Sequence, residues 1–255
     1  MPAWAKKVLF LAIVLGLWQA WCWTGLVSTD ALPTPGRVAR ALAEGVADRG
    51  YLEAFLVSAR RMAVGYALSV LLGVLLGTLL AWWRTLDDML GSFLVALQSL
   101  PSVCWFPLAL LWFGPSEGAI LFVLVLGAVL SITIATTAGI RQVPPLLISA
   151  AQTMGARGLP LHVHVTLPAA FPSILGGMKL GWAFAWRALM AGELLYTIAG
   201  ASGLGTALQA GHRAQDMARV LSVMVLIVLL GMAVDFAFFG VLERRIRERR
   251  GLQKG

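Results

Sequence analysis

Residues 62–83 read MAVGYALSVLLGVLLGTLLAWW and contain no charged side chain. A helix needs about 20 apolar residues to cross the hydrocarbon core of a bilayer. In that environment every backbone N–H and C=O must find its partner within the segment, so an apolar run of this length is read as a helix. Similar runs recur at Val8–Val27, 90–113, 118–140, 172–191 and 220–242. The chain is 59% hydrophobic and 13% charged, against about 25% charged in soluble domains. The expected fold class is therefore all-α and polytopic, with about six transmembrane helices in a single domain over 1–255.

Charge placement orients these spans. The 20 Lys+Arg exceed the 12 Asp+Glu, but the basic residues lie between apolar runs and in a tail, a membrane pattern rather than a nucleic-acid face. The tail at 243–255 begins ERRIRERR, and Lys6 and Lys7 precede the first span. With six spans both ends fall on the cytoplasmic side. The stretches 28–61 and 192–219 are then external, and 141–171 is cytoplasmic. The basic start of the chain also suits a signal peptide, but Trp18, Trp21 and Trp23 crowd the place where a cleavage site needs small residues, so a retained span is expected. Pro101 and Pro107 predict an interrupted span over 90–113. Arg84, Asp87 and Asp88 read as a polar turn, and Arg37 to Glu53 as a short amphipathic helix. Cys22 and Cys104 are read as buried apolar side chains rather than a disulfide.

The segment 148–168, ISAAQTMGARGLPLHVHVTLP, is semi-polar in an oily chain. Pro144 and Pro145 suit a helix start. Leu147, Ala150, Ala151 and Met154 form one stripe at helical spacing, and Gly155 stands where a helix ends in a left-handed residue. Pro160 opens a second short helix and Pro168 stops it. A helix–glycine–helix element outside the bilayer suits docking into a partner's groove. It equally suits a re-entrant or interfacial loop packed on its own chain. His162 and His164, two residues apart, would point away from each other on a helix, so no metal site is expected.

Gly65, Ser69, Gly73, Gly77 and Ala81 recur every four residues, as do Gly177, Gly181 and Ala185. Small residues at this spacing let helices approach closely, within the chain or in a dimer. Lys179, Arg187, Glu193 and Asp235 are ionisable residues at or near membrane depth, where charges are costly and face a cavity or a partner. They are candidates for a translocation path or for structural charge pairs. There is no G-x-x-x-x-G-K-[ST] phosphate loop and no nucleophile–base constellation, so no catalytic residue and no ATP hydrolysis are expected in this chain.

The spacing S-A-A at 149–151, Gly155, nine residues, then Val165, Thr166, Leu167 and Pro168 resembles the E-A-A-x3-G-x9-I-x-L-P signature of ABC importer permeases. Ser149 stands where the family has an acid, and Val165 where it has isoleucine. LPTPGRV (32–38), SARRMAVGYALSVLLGVLLG (58–77), WFPLALLWFG (105–114), AWRALMAGELL (185–195) and GLGTAL (203–208) resemble the nitrate/sulfonate/taurine-type subgroup. The resemblance implies the type I importer (MetI-like) permease fold in a bacterial inner membrane. It makes Ser149, Ala150, Ala151, Met154, Gly155, Leu167 and Pro168 an ATPase-coupling loop. It further implies a homodimer, two cytoplasmic ATPase subunits that bind the ATP and magnesium, and a periplasmic or extracellular solute-binding protein. No cofactor, metal or nucleic acid is expected on this chain, and the solute would be a small anion such as a sulfonate, taurine or nitrate. The alternative is a secondary transporter or channel driven by an ion gradient. That class relies on intramembrane ionisable relays and often on inverted repeats, and neither stands out here.

Overall fold

A computed structural model describes residues 3–196 and 202–249. Expectations for 197–201, within the expected external stretch, and for 250–255 of the tail lie outside the described residues. Twelve α-helices follow in order among the described residues, with no strand: α1 (Ala3–Trp23), α2 (Pro35–Ala47), α3 (Gly50–Trp82), α4 (Arg84–Ser99), α5 (Phe106–Phe113), α6 (Glu117–Arg141), α7 (Pro145–Thr153), α8 (Gly158–Leu161), α9 (Leu167–Leu195), α10 (Leu204–Arg213), α11 (Met217–Val234) and α12 (Gly240–Arg249). A 3-10 turn (Ser102–Trp105) precedes α5, and π-helical turns (His162–Thr166 and Asp235–Phe239) precede α9 and α12.

Among the described residues, four helical stretches are long and apolar enough to cross a bilayer: Ala5–Trp23, Gly50–Trp82, Glu117–Arg141 and Met217–Ile246. The pair Arg84–Ser99 and Ser102–Phe113, bent by 102° at the break, makes a fifth if counted as one span. This is the interruption that Pro101 implied. The expected span 172–191 lies inside α9, which is 29 residues long. Lys179, Arg187 and Glu193 dilute its apolarity.

Other boundaries differ for local reasons. The first span ends at Trp23 rather than Val27, because Gly25 takes a left-handed φ of 68°. The amphipathic stretch 37–53 is two helices, broken where Arg49 turns left-handed at φ 60°. The rest of it is the start of α3. Arg84 to Asp88 form the first turn of α4 rather than a loop.

The chain divides into two compact units. One comprises Met1–Ser58 with Glu193–Leu230, the other Ala59–Gly192 with Gly231–Gly255. In the first, α1 buries none of its apolar residues against the chain, and the Tyr51 and Ser222 hydroxyls share a 2.7 Å hydrogen bond.

The second unit is organised around α6, whose residues from Ala119 to Ile140 supply more of its buried side chains than any other helix. On one side lies the small-residue stripe of α3. A Cβ on Gly73 would stand 2.7 Å from Ile132 Cβ, and one on Gly77 would stand 2.5 Å from Thr136 Cβ and 2.7 Å from the Thr133 carbonyl. Thr137 Oγ1 donates to the Gly77 carbonyl at 3.1 Å. On the other side lies α9. Cβ atoms on Gly177 and Gly181 would meet Ala135 Cβ at 2.3 Å and the Ala128 carbonyl at 3.1 Å, and Ala185 is fully buried. Both stripes are thus used within the chain. This is how apolar helices associate where lipid removes the hydrophobic drive: backbones approach and gain dispersion contacts. The Tyr66 hydroxyl on α3 donates to the Met178 carbonyl on α9 at 2.7 Å.

Ion pairs sit at both ends of α6, with the signs its dipole favours. In its first turn Glu117 accepts from Arg60 at 2.8 Å and from Arg61 at 3.3 Å, and the Arg61 side chain is only 2% exposed. In its last turn Arg141 pairs with Asp87, in the first turn of α4.

The close approach of α3 to α6 predicts an asymmetric glycine response. Gly77→Ala should cost about 1–3 kcal/mol through overpacking, whereas Gly16→Ala, whose Cβ would meet nothing within 4 Å, should be neutral. Thermal unfolding of the two variants in lipid nanodiscs checks this; equal midpoints would contradict the packing.

Candidate functional site

The segment after α6 leaves the core at Val143 and turns through Pro144 into α7. Pro145 at its first position gives up no hydrogen bond, since the first turn has no partner for that N–H. At the other end Gly155 has φ 91°. Its N–H donates to the Gln152 carbonyl at 2.9 Å, and the Ala156 N–H donates back to Ala151 at 3.0 Å. This pair of bonds is the Schellman ending, which needs a left-handed residue and favours glycine.

On the chain's own side of α7, Ala151 is buried and Ile148 packs on the cluster of Ile140, Val143, Ala170 and Ile174. The rest of the stripe, Leu147, Ala150 and Met154, is exposed. Leu146 and Met154 are 80% and 83% exposed. With Ser149 and Ala150 they form a mixed apolar and small-residue face that the chain does not cover.

Beyond Gly155 the chain passes α8 and a π-helical turn, then enters α9 without a break. Pro168 therefore does not stop a helix. The Leu167 N–H reaches back five residues to His162, so the widened turn has already abandoned the four-residue bonding that Pro168 cannot supply. Leu167 packs against the same cluster as Ile148, and Pro168 is exposed. His162 is buried and accepts from the Trp82 indole N–H through Nδ1 at 3.3 Å. Burial holds its imidazole below the ordinary histidine range, in the neutral form that this acceptor role requires. His164 is exposed, its ring bonded to the Pro160 carbonyl at 3.0 Å. Among the described residues no three His, Cys, Asp or Glu side chains gather as a metal site.

The four candidate charges separate into three settings. Lys179 is held between Asp235 at 3.3 Å and Glu243 at 3.2 Å, the former at the start of the π-helical turn that follows α11. Glu243 was read only as part of the tail, because 64 residues separate it from Lys179 and no local pattern links them. Arg187 donates from Nε to the Ala183 carbonyl at 3.1 Å, and its guanidinium lies 4.9 Å from the centre of the Phe184 ring.

Glu193 is fully buried. It accepts from Ser58 Oγ, 2.7 and 2.9 Å from its two oxygens, and from the Gly205 N–H at 3.0 Å. Ser58 Oγ in turn accepts the Leu204 N–H at 2.9 Å. One carboxylate and one hydroxyl thereby satisfy backbone donors in the first turn of α10. Ser58 and Gly203 open the stretches 58–77 and 203–208 that carry the family resemblance, but nothing local links them to Glu193, since neither carries a charge and their partners are remote.

Helices long and apolar enough to cross a bilayer, with a short exposed helix set outside the core, suit a membrane permease. The family described as binding-protein-dependent transport system inner membrane component matches residues 69–248, and the chain belongs to it: it is the permease subunit of an ABC importer, a type that works with ATPase and solute-binding partners. It is 33% identical over 180 residues to a putative ABC transporter permease of Methanocaldococcus jannaschii, spanning 71% of this chain and 67% of the relative. It is 29% identical over 252 residues to a putative aliphatic sulfonates transport permease of Bacillus subtilis (99% and 90% covered). It is 27% identical over 241 residues to the taurine transport system permease of Escherichia coli (92% and 86%). The crystal structure of an amino acid ABC transporter shares the fold at a TM-score of 0.64 and 14% identity, covering 80% of this chain and 97% of that one.

The Glu193 cluster leaves no room for a side chain at Gly203, where a Cβ would stand 2.3 Å from the carboxyl carbon and both its oxygens. Gly203→Ala should destabilise the protein by about 1–3 kcal/mol or more. Ser58→Ala, which leaves the buried Leu204 N–H without its acceptor and removes one donor to Glu193, should cost about 1–3 kcal/mol. Unfolding midpoints of the purified variants measure both. A wild-type midpoint for Gly203→Ala would show that α10 is not seated on Glu193.

Proposed function

We propose that this chain, as a single permease domain over 1–255, imports a small organic or inorganic anion of the sulfonate, taurine or nitrate kind. It acts as a homodimer bound to two ATPase subunits, which hold the ATP and magnesium, and it receives solute from an external binding protein. Ser149, Ala150, Ala151, Met154, Gly155, Leu167 and Pro168 form the coupling loop. The observation that carries this reading is α7 itself. Its outer face is uncovered, its end is locked by Gly155, and its inner face is anchored through Ile148 and Ala151. A rigid lever of this kind transmits a push from a partner into α6 and α9, between which it is inserted. The choice of solute class is supported by the names of the sulfonate, taurine and nitrate permeases among the relatives.

The cytoplasmic placement of both termini rests on the basic tail. Arg60 and Arg61, basic residues within the expected external stretch 28–61, are paired with Glu117. Single cysteines at Arg157 and Ser202, both exposed positions, introduced without Cys22 and Cys104, should label from opposite sides of sealed cells. Labelling from one side would overturn the orientation.

Coupling is tested at Gly155. A Cβ there meets nothing of this chain within 4 Å, so Gly155→Val adds left-handed backbone strain of about 1–2 kcal/mol and a branched side chain on the docking face. Membrane levels should hold while ATP-driven uptake and its coupled ATPase activity are lost. Ser149→Ala should be milder, since the family's acid is already absent. Normal transport by Gly155→Val, with loss in Ser149→Ala, would refute the coupling assignment.

A further inference from the structure

We propose that the break after α4 and Arg187 of α9 together form a subsite for a small oxyanion on the translocation path. The inference rests on the importer reading and adds a location to it. The helical axis turns through 102° between Ser99 and Ser102, within an otherwise apolar segment. Irregular backbone at membrane depth is tolerated where it is buried in protein or lines a water-filled cavity. Here it borders a cavity of about 360 Å³, whose walls include Gln98, Ser99, Ser102, Phe184 and Arg187. That volume suits a small solute.

Arg187 is the electrostatic feature of this cavity. Its Nε is bonded to the Ala183 carbonyl, and the Phe184 ring lies beside the guanidinium, which restrains the plane of the group. Among the described residues no carboxylate pairs with it, and the cavity walls carry none. Lys179, two turns earlier on α9, is by contrast held by two carboxylates. An arginine at membrane depth without a counter-ion is costly and marks an ion or substrate route. Its remaining N–H groups match the paired oxygens of a sulfonate, nitrate or carboxylate. Gln98, Ser99 and Ser102 add neutral polar groups, and Gln98 is positioned by its bond to Ser131 Oγ at 2.8 Å. Arg187 also lines a second cavity of about 590 Å³, with Trp182, Trp186 and Asp235 among its walls. It therefore borders both cavities along α9, where a passing anion is handed from one to the other.

The test uses the complete transporter, with its ATPase subunits and binding protein, in proteoliposomes. Labelled taurine, ethanesulfonate and nitrate are tried separately. The external binding protein captures the solute, so a subsite within the permease acts on the maximal rate more than on the KM. Arg187→Gln should lower the maximal rate at least about tenfold, with Arg187→Lys keeping a larger share. In a background without Cys22 and Cys104, Arg187→Cys should regain uptake on reaction with a cationic aminoethyl thiosulfonate and not with an anionic sulfonatoethyl one. This comparison starts from folded protein, so loss of folding cannot imitate it. Wild-type rates in Arg187→Gln, or equal rescue by both reagents, would overturn the subsite. Failure of the unaltered transporter to take up any of the three solutes, each of which presents an anionic oxygen group, would instead overturn the import reading itself, and the subsite with it.

Discussion

The backbone-to-backbone approach of α3 and α9 to α6 is the constraint on which the second unit depends. In a bilayer, apolar side chains gain little by leaving lipid for protein, so helix association relies on dispersion and on hydrogen bonds between helices. Both demand short distances. Glycine at 73, 77, 177 and 181 removes the Cβ atoms that would otherwise collide with α6, and Thr137 uses the proximity to reach the Gly77 carbonyl. The same packing places Arg187 and the end of α4 around one cavity, because Gly127 of α6 lies against both Ser102 and Ala188.

Charge in this unit is arranged by a second rule. Three charges at helix ends follow the dipole: Glu117 at the start of α6, Arg141 at its finish, and Asp87 in the first turn of α4. Of the ion pairs they make, Arg60–Glu117 is the exposed one, and an exposed pair stabilises by at most about 1 kcal/mol. Lys179 obeys the same economy through Asp235 and Glu243. Arg187, on the same helix, differs in that no carboxylate pairs with it among the described residues.

Much of the path to this architecture was legible in the chain. Apolar runs of bilayer length located the helices of α3, α6 and α11, and the two prolines between 101 and 107 forecast the interrupted span. Gly155 was legible as a left-handed helix end because few residues other than glycine serve there. What spacing could not give depended on where a neighbour stood. Of the α7 stripe through Met154 only Ala151 is covered by this chain, with Ile148 beside it. Pro168 did not end a helix, because a π-helical turn had already released the bond it would break.

Periodicity and length determined, without any structure, that this is a helical membrane protein with a rigid polar insert, because hydrocarbon leaves the backbone no other way to satisfy its hydrogen bonds. The signature spacing of the insert resembles that of the ABC importer permeases, the family to which the chain belongs. Tertiary structure alone decided the partners. Glu193 meets Ser58 across 135 residues and Lys179 meets Glu243 across 64, while Arg187 meets no carboxylate among the described residues. No local pattern encodes such distances: they follow from how closely the helices pack, and closeness is a property of two surfaces rather than of one sequence.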